Sequence, residues 1–368
     1  MFSPTMRRTS ALTTIGVLLV LLVLLAVHLQ SLGDFARPQL GVEPWKPVLN
    51  LSLPVAAQTS AAHLLARPPT ADSGKIPRIF HQSWKSSELP SKFETWSTLC
   101  RQRHKDWEWV LWTDEDNLRL VQTYFPSLEA AYRDLPGEIY RADLARYLYM
   151  YIYGGVYADL DTECLRPTED LQDDYDAFFD GQGSTPMTDT ALFGRMGNDP
   201  KFEHSIPNAW MASTPGHPFF LAFVQFFNDK VNELKQKRKK LPEAEHVTGP
   251  AALYAAINRY EKDKARSGSR LNDEVAKMVR EGPFAPLPDR AHRVLLLPSH
   301  YIYPYSWGSD GSKVRKKCWV LSKAFNAETC KEALEVERKK SISITYWSHT
   351  HTPSGHNKGN MKHLEADS

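Results

Sequence analysis

A helix-length run from Gly137 to Tyr153 is stopped by two consecutive glycines, Gly154 and Gly155, and Val156 to Leu160 then reads as a strand. Glycine suits such a stop because the chain can turn left-handed there without a Cβ penalty. A helix running straight into a strand is the joint of a layered α/β fold. Upstream, Ile76 to Gln82 reads as a short buried strand ending at Trp84, and Pro90 opens a helix with Phe93, Trp96, Leu99 and Cys100 at helical spacing. Trp107 to Trp112 alternates as a second strand, with Asp114 as N-cap of the helix that follows. This alternation predicts an α/β domain with a mainly parallel sheet flanked by helices, binding ligands beyond the carboxyl ends of its strands.

The chemistry is concentrated at that joint. Asp159 and Asp161 are two residues apart, so at a strand end both carboxylates point to one side. Two hard carboxylates beside a glycine pair suit an oxygen-seeking divalent cation, Mn²⁺ or Mg²⁺, although two acids at a strand end also occur without a metal. Asp143 and Arg146 lie three apart on the preceding helix and share a face. Arg146 is placed to clamp phosphate or sugar oxygens and Asp143 to accept sugar hydroxyls; a surface ion pair is the competing reading. The aromatic and apolar character of the rest of the helix (Tyr140, Tyr147, Leu148, Tyr149, Met150, Tyr151) disfavours a fully solvated face.

Composition sets outer limits. The 368 residues, 42% hydrophobic and 24% charged, match one large globular domain, and a net charge of +2 does not imply a nucleic-acid partner. From Ala11 to Val27 there is no charge, and Arg7 and Arg8 precede the run. The run approaches the length needed to cross about 30 Å of hydrocarbon. The expected division is therefore a cytosolic tail over 1–10, a membrane-spanning signal-anchor over 11–32 and a lumenal remainder. A signal peptide cleaved after Gly33 is the alternative. Residues 33–75 are rich in Pro, Ala and Ser and read as an extended stem, with a sequon at Asn50-Leu51-Ser52. The catalytic domain is expected over 76–352 and a flexible tail over 353–368. Cys318 and Cys330 are close enough to close a short loop, or to remain reduced, and Cys100 and Cys164 have no assigned partner. The basic run from Lys235 to Lys240 reads as a solvated helix end following an aromatic helix that starts at Pro218.

Three blocks taken together, Ile76-Pro77-Arg78-Ile79-Phe80-His81-Gln82-Ser83-Trp84, Ala142-Asp143 through Arg146-Tyr147, and Gly154-Gly155-Val156-Tyr157-Ala158-Asp159-Leu160-Asp161, closely resemble glycosyltransferase family 32. The family includes fungal initiation-specific alpha-1,6-mannosyltransferases and mannosyl-inositolphosphoceramide synthases. Downstream blocks at Asn208 to Ser213, Pro215 to Pro218 and Thr248 to Pro250 extend the resemblance to about His349. The resemblance implies a GT-A fold, an Asp-x-Asp metal site and transfer with retention. It would place Trp84 and Asn208 with Asp143, Arg146 and Asp159 around the donor, and Asp159, Asp161 and His349 on the metal; Asp143, Arg146 and Asp161 would carry catalysis. Trp84 as a core residue and Asn208 as a loop-capping residue are the competing readings.

The resemblance also implies a nucleotide-sugar donor, with GDP-mannose ahead of UDP-galactose or UDP-GlcNAc, and a glycan or glycolipid acceptor. It implies a single-pass Golgi membrane location, with room for assembly with other glycosyltransferases. The lack of additional long apolar runs near the C-terminus tilts the expectation toward a glycan acceptor. A non-catalytic binding relative, and a glycoside hydrolase using paired carboxylates without a metal, are the readings of other classes.

Overall fold

The computed structural model describes residues 53–71, 74–175, 179, 188–266, 272–284 and 290–350. The expected membrane anchor, about half of the stem with its sequon, and the C-terminal tail lie outside them. Among the described residues, no helix is long and apolar enough to cross a membrane.

The chain builds a seven-stranded sheet in the order β1-β3-β2-β4-β7-β6-β8. Its strands are β1 (Ala57–Gln58), β2 (Ile79–Ser83), β3 (Glu108–Trp112), β4 (Gly155–Ala158), β6 (Thr188–Gly194), β7 (Trp210–Ser213) and β8 (Ala291–Leu297). All neighbours pair in parallel except β7, which runs antiparallel to both β4 and β6. The expected α/β architecture with a mainly parallel sheet is what forms. A second antiparallel pair joins β5 (Thr162–Cys164) to β9 (Ser343–Thr345).

One expectation is corrected at the N-terminal side. Residues read as stem enter the domain: β1 pairs with β3, and a short helix α1 (Ala61–Leu65) buries Ala61 and Leu64 in the main core. A two-residue strand is too short to show a period, so the Pro- and Ala-rich composition concealed it.

The helices α2 (Ser91–Arg103), α3 (Asp114–Tyr124) and α4 (Glu138–Ile152) connect the first strands. The N-cap of α3 is Thr113, one residue before the expected Asp114, because Thr113 and Asp116 form a reciprocal capping box. Helix α4 is buried nearly all round, with Tyr147 against Phe223 at 3.9 Å between ring centroids and Tyr149 stacked on Trp112 at 4.5 Å. Phe223 lies on α5 (Pro218–Gln236), the aromatic helix that covers α4 and ends in the solvated basic run.

The glycine stop after α4 is a close-packing requirement. Gly155 has φ +84°, and a Cβ there would fall 2.4 Å from the Ile79 carbonyl oxygen on β2. His81, fully buried on β2, accepts the Trp112 indole N–H at Nδ1 (3.0 Å), so its Nε2 carries the proton and donates to the Gly154 carbonyl at 3.0 Å. Burial lowers the His81 pKa to about 4, which keeps the ring neutral and suited to this bridge. Two disulfides complete the domain, Cys318–Cys330 as one of the readings left open, and Cys100–Cys164, which ties α2 to β5.

Candidate active site

Strand β4 ends at Ala158, and Asp159, Leu160 and Asp161 form the turn into β5, with the Thr162 N–H donating to the Asp159 carbonyl. Both carboxylates face a cleft beyond the end of β4. The cleft has two lobes. One, of about 330 Å³, is lined by Ser83, Trp84, Lys85, Phe93, Asp114 and Glu138; the other, of about 510 Å³, by Met196, Phe202, Asn208, Trp307, Trp347 and His349. Arg146, Asp159, Asp161 and Ser348 line both lobes and form the junction between them.

Helix α4 delivers Asp143 and Arg146 to this junction from one face, and the end of the strand that follows delivers the two aspartates. Arg146 is 5% exposed, and its guanidinium pairs with Asp143 Oδ1 at 3.2 Å and Asp159 Oδ1 at 3.0 Å. It also donates to the Asn208 carbonyl at 2.9 Å and lies over the Tyr157 ring at 4.7 Å. Burial works against its charge, but Asp159, Tyr157 and Asp143 outweigh that and hold its pKa well above the ordinary value. Asp143 accepts a further hydrogen bond from Asn208 Nδ2 at 2.9 Å, and burial raises its pKa to about 6 despite Arg146. Asn208 thus holds the junction through both its side chain and its carbonyl, a larger part than capping a loop.

Asp161 is held differently. Its Oδ2 accepts the backbone N–H of Ser348 at 2.7 Å and the Ser348 hydroxyl at 2.9 Å. Strand β9 makes this possible: Thr345 pairs with Thr162, and the Tyr346 N–H donates to the Asp161 carbonyl, so the segment after β9 passes directly over the acid. Among the described residues Asp161 has no ion pair, and burial, with the nearby Asp159 charge, raises its pKa to about 6. The junction therefore gathers three carboxylates and one guanidinium, which pairs with Asp143 and Asp159 and leaves Asp161 without it. Their excess negative charge, with Asp161 lacking a cationic partner, fits a divalent cation with oxygen ligands.

The predicted residues divide by position. Asp143, Arg146, Asp159, Asp161 and Asn208 are brought together at the junction. Trp84 is half-buried, edge-on to Phe93 at 5.1 Å, and lines the smaller lobe. His349 lines the larger lobe, its ring 4.3 Å from Trp307. The donor atoms of Asp159, Asp161 and His349 do not close to within 4.8 Å of one another, as those of one Glu-His-His group elsewhere among the described residues do. Sequence reading missed Tyr157, whose hydroxyl donates to Asp159 Oδ1 at 2.6 Å, and Ser348. Tyr157 sits two residues before Asp159 on the same strand face, a signal that was available. Ser348 depends on the long-range β5–β9 pairing, which leaves no local pattern.

Residues 90–178 match the family described as glycosyltransferase sugar-binding region containing DXD motif. That span covers Asp143, Arg146 and the Asp159-Leu160-Asp161 sequence. The chain is 31% identical over 203 residues to "Inositol phosphoceramide mannosyltransferase 1" of Schizosaccharomyces pombe, covering 54% of each chain. It is 35% identical over 153 residues to "Inositol phosphoceramide mannosyltransferase 3" of the same organism, covering 42% of this chain and 37% of that one. To "Initiation-specific alpha-1,6-mannosyltransferase" of Saccharomyces cerevisiae it is 29% identical over 109 residues, covering 27% and 23%. The chain thus spans about half, or less, of the length of these curated relatives.

Proposed function

We propose, for a chain that carries a glycosyltransferase sugar-binding region and resembles fungal mannosyltransferases, that it is a metal-dependent mannosyltransferase of GT-A fold. It takes mannose from a nucleotide-activated donor, GDP-mannose, with retention of configuration. The observation that carries this reading is the junction itself: Asp159 and Asp161 meet Arg146 and Asp143 where two cleft lobes join. A Mn²⁺ or Mg²⁺ ion held by Asp161 and Asp159, with His349 lining the same lobe, would neutralise charge developing on the departing diphosphate.

The protein's own groups have separable tasks. Ser348 fixes Asp161 through two hydrogen bonds to one oxygen, leaving the carboxylate oriented toward the junction. Arg146 keeps Asp143 and Asp159 from repelling each other and orients both. Asp143, positioned by Arg146 and Asn208, accepts a sugar hydroxyl. Trp84 and Lys85 in the smaller lobe offer an aromatic face and a cation to the nucleotide. The larger lobe, with Trp307 and Trp347, receives the acceptor. With no side chain assigned as a nucleophile, front-side transfer is the mechanism proposed, the departing phosphate taking the acceptor hydroxyl proton.

For the acceptor, relatives named for inositol phosphoceramide match over more of the chain than those named for alpha-1,6-mannosylation. They favour an inositol-phosphate lipid headgroup, against the sequence-based tilt toward a glycan. A Golgi-lumenal site behind an N-terminal anchor is the proposed location. The test offers GDP-[¹⁴C]mannose and Mn²⁺ with either inositol phosphoceramide or an alpha-mannoside. Label in the lipid supports the full reading, and label in the mannoside alone moves the acceptor. No release of mannose with either, and no donor hydrolysis, overturns it.

A further inference from the structure

Outside the aspartate junction, two histidines and a glutamate converge at the outer rim of the larger lobe. Glu203 and His204 lie on the segment between β6 and β7, and His246 on the short helix α6 (Ala244–Val247). His246 Nε2 stands 3.6 Å and His204 Nε2 3.8 Å from Glu203 Oε1, and one donor atom from each of the three residues lies within 4.8 Å of the others. Ligands bound to one tetrahedral zinc at 2.0–2.2 Å stand about 3.4 Å apart, so this set needs only a small contraction to close. The separations are too long for hydrogen bonds, which a simple histidine–carboxylate pair would form at about 2.7–3.2 Å. The groups are gathered without hydrogen-bonding to one another. Glu245 Oε2 also stands 3.8 Å from His204 Nε2.

We propose that Glu203, His204 and His246 bind a zinc-type transition ion, at a site separate from the Asp159–Asp161 pair. Imidazole nitrogen favours Zn²⁺ over Mn²⁺ or Mg²⁺, whereas the oxygen-only pair favours the reverse. All three side chains are partly exposed, so the ion enters from solvent. The bound ion clips together two segments that meet at Asp143: the one ending in Asn208, whose side chain donates to it, and the one continuing from α6 through Thr248 to Gly249, which packs beside the Asp143 carboxylate. It is a structural clip at the acceptor rim.

The experiment uses the Asp161→Asn protein, in which the other proposed site is disabled, stripped with EDTA and reloaded with Zn²⁺. One equivalent of zinc by elemental analysis, a melting temperature raised by several degrees, and loss of both in the His204→Gln/His246→Gln derivative are expected. Co²⁺ loading provides the folding-independent check: tetrahedral nitrogen ligation gives intense visible absorption, and His246→Gln alone should reduce it to the weak bands of octahedral cobalt. Absence of bound zinc in Asp161→Asn, or zinc content and cobalt spectra unchanged by the histidine substitutions, overturns the proposal. None of these readouts requires sugar transfer, so the outcome stands apart from that of the mannosyltransferase reading.

Discussion

Arg146 reaches Asp143 from Nη2 and Asp159 and the Asn208 carbonyl from Nη1, a spread over two nitrogens that the single nitrogen of an ammonium does not reproduce. Arg146→Lys is therefore expected to lose at least one of these contacts. Breaking a buried pair of this kind costs about 3–5 kcal/mol, measurable by denaturant unfolding, and activity should fall by at least about 100-fold. A Lys variant of unchanged stability and turnover would show that the three contacts are dispensable. Asp143 and Asp161 each titrate near pH 6 in the fold because burial disfavours their charge. The folded state then binds their protons more tightly than the unfolded chain does. Their contribution to stability is present below the ordinary carboxylate pKa and is lost as pH rises through about 6. A cation at Asp161 competes with that proton, so the rise in melting temperature caused by Mn²⁺ should grow between pH 5 and pH 7. An equal rise at both pH values would place the ion elsewhere.

At the scale of elements, the α4–β4 joint depends on the absence of a side chain at Gly155. Gly155→Ala adds a Cβ at 2.4 Å from a backbone oxygen, in a left-handed conformation, and should destabilise by about 2 kcal/mol or more. A thermal melt within a degree of wild type would contradict this. The Cys100–Cys164 disulfide closes a loop with a sequence separation of 64 that contains α4, β4 and both aspartates. Chain-entropy arguments give it about 4 kcal/mol, so Cys100→Ser/Cys164→Ser should unfold at markedly lower denaturant than the wild type. The α4–β4 joint was legible in the sequence because helix stop, strand and acids are contiguous, and Asp143 and Arg146 because i,i+3 spacing fixes a face. The pairing of Cys100 with Cys164 was not, since connectivity is a property of the fold and not of spacing. Nor were β1 and β9: strands of two and three residues show no period, and partners far along the chain set their positions.

Across the whole molecule, the sheet brings the ends of β2 and β4 to one cleft, and the chain after β9 returns to close it over Asp161. This arrangement leaves more carboxylate than cation at the junction, and the account rests on a divalent ion making up the difference and receiving the donor's diphosphate. Calorimetric titration of GDP into the protein tests that most directly, with Mn²⁺ and with EDTA, in the wild type and in Asp161→Asn. The account predicts binding in the wild type with Mn²⁺ and at least about 100-fold weaker binding when either the ion or the Asp161 charge is removed. Equal affinity in EDTA, or an Asp161→Asn protein that binds GDP and Mn²⁺ as the wild type does, would contradict it.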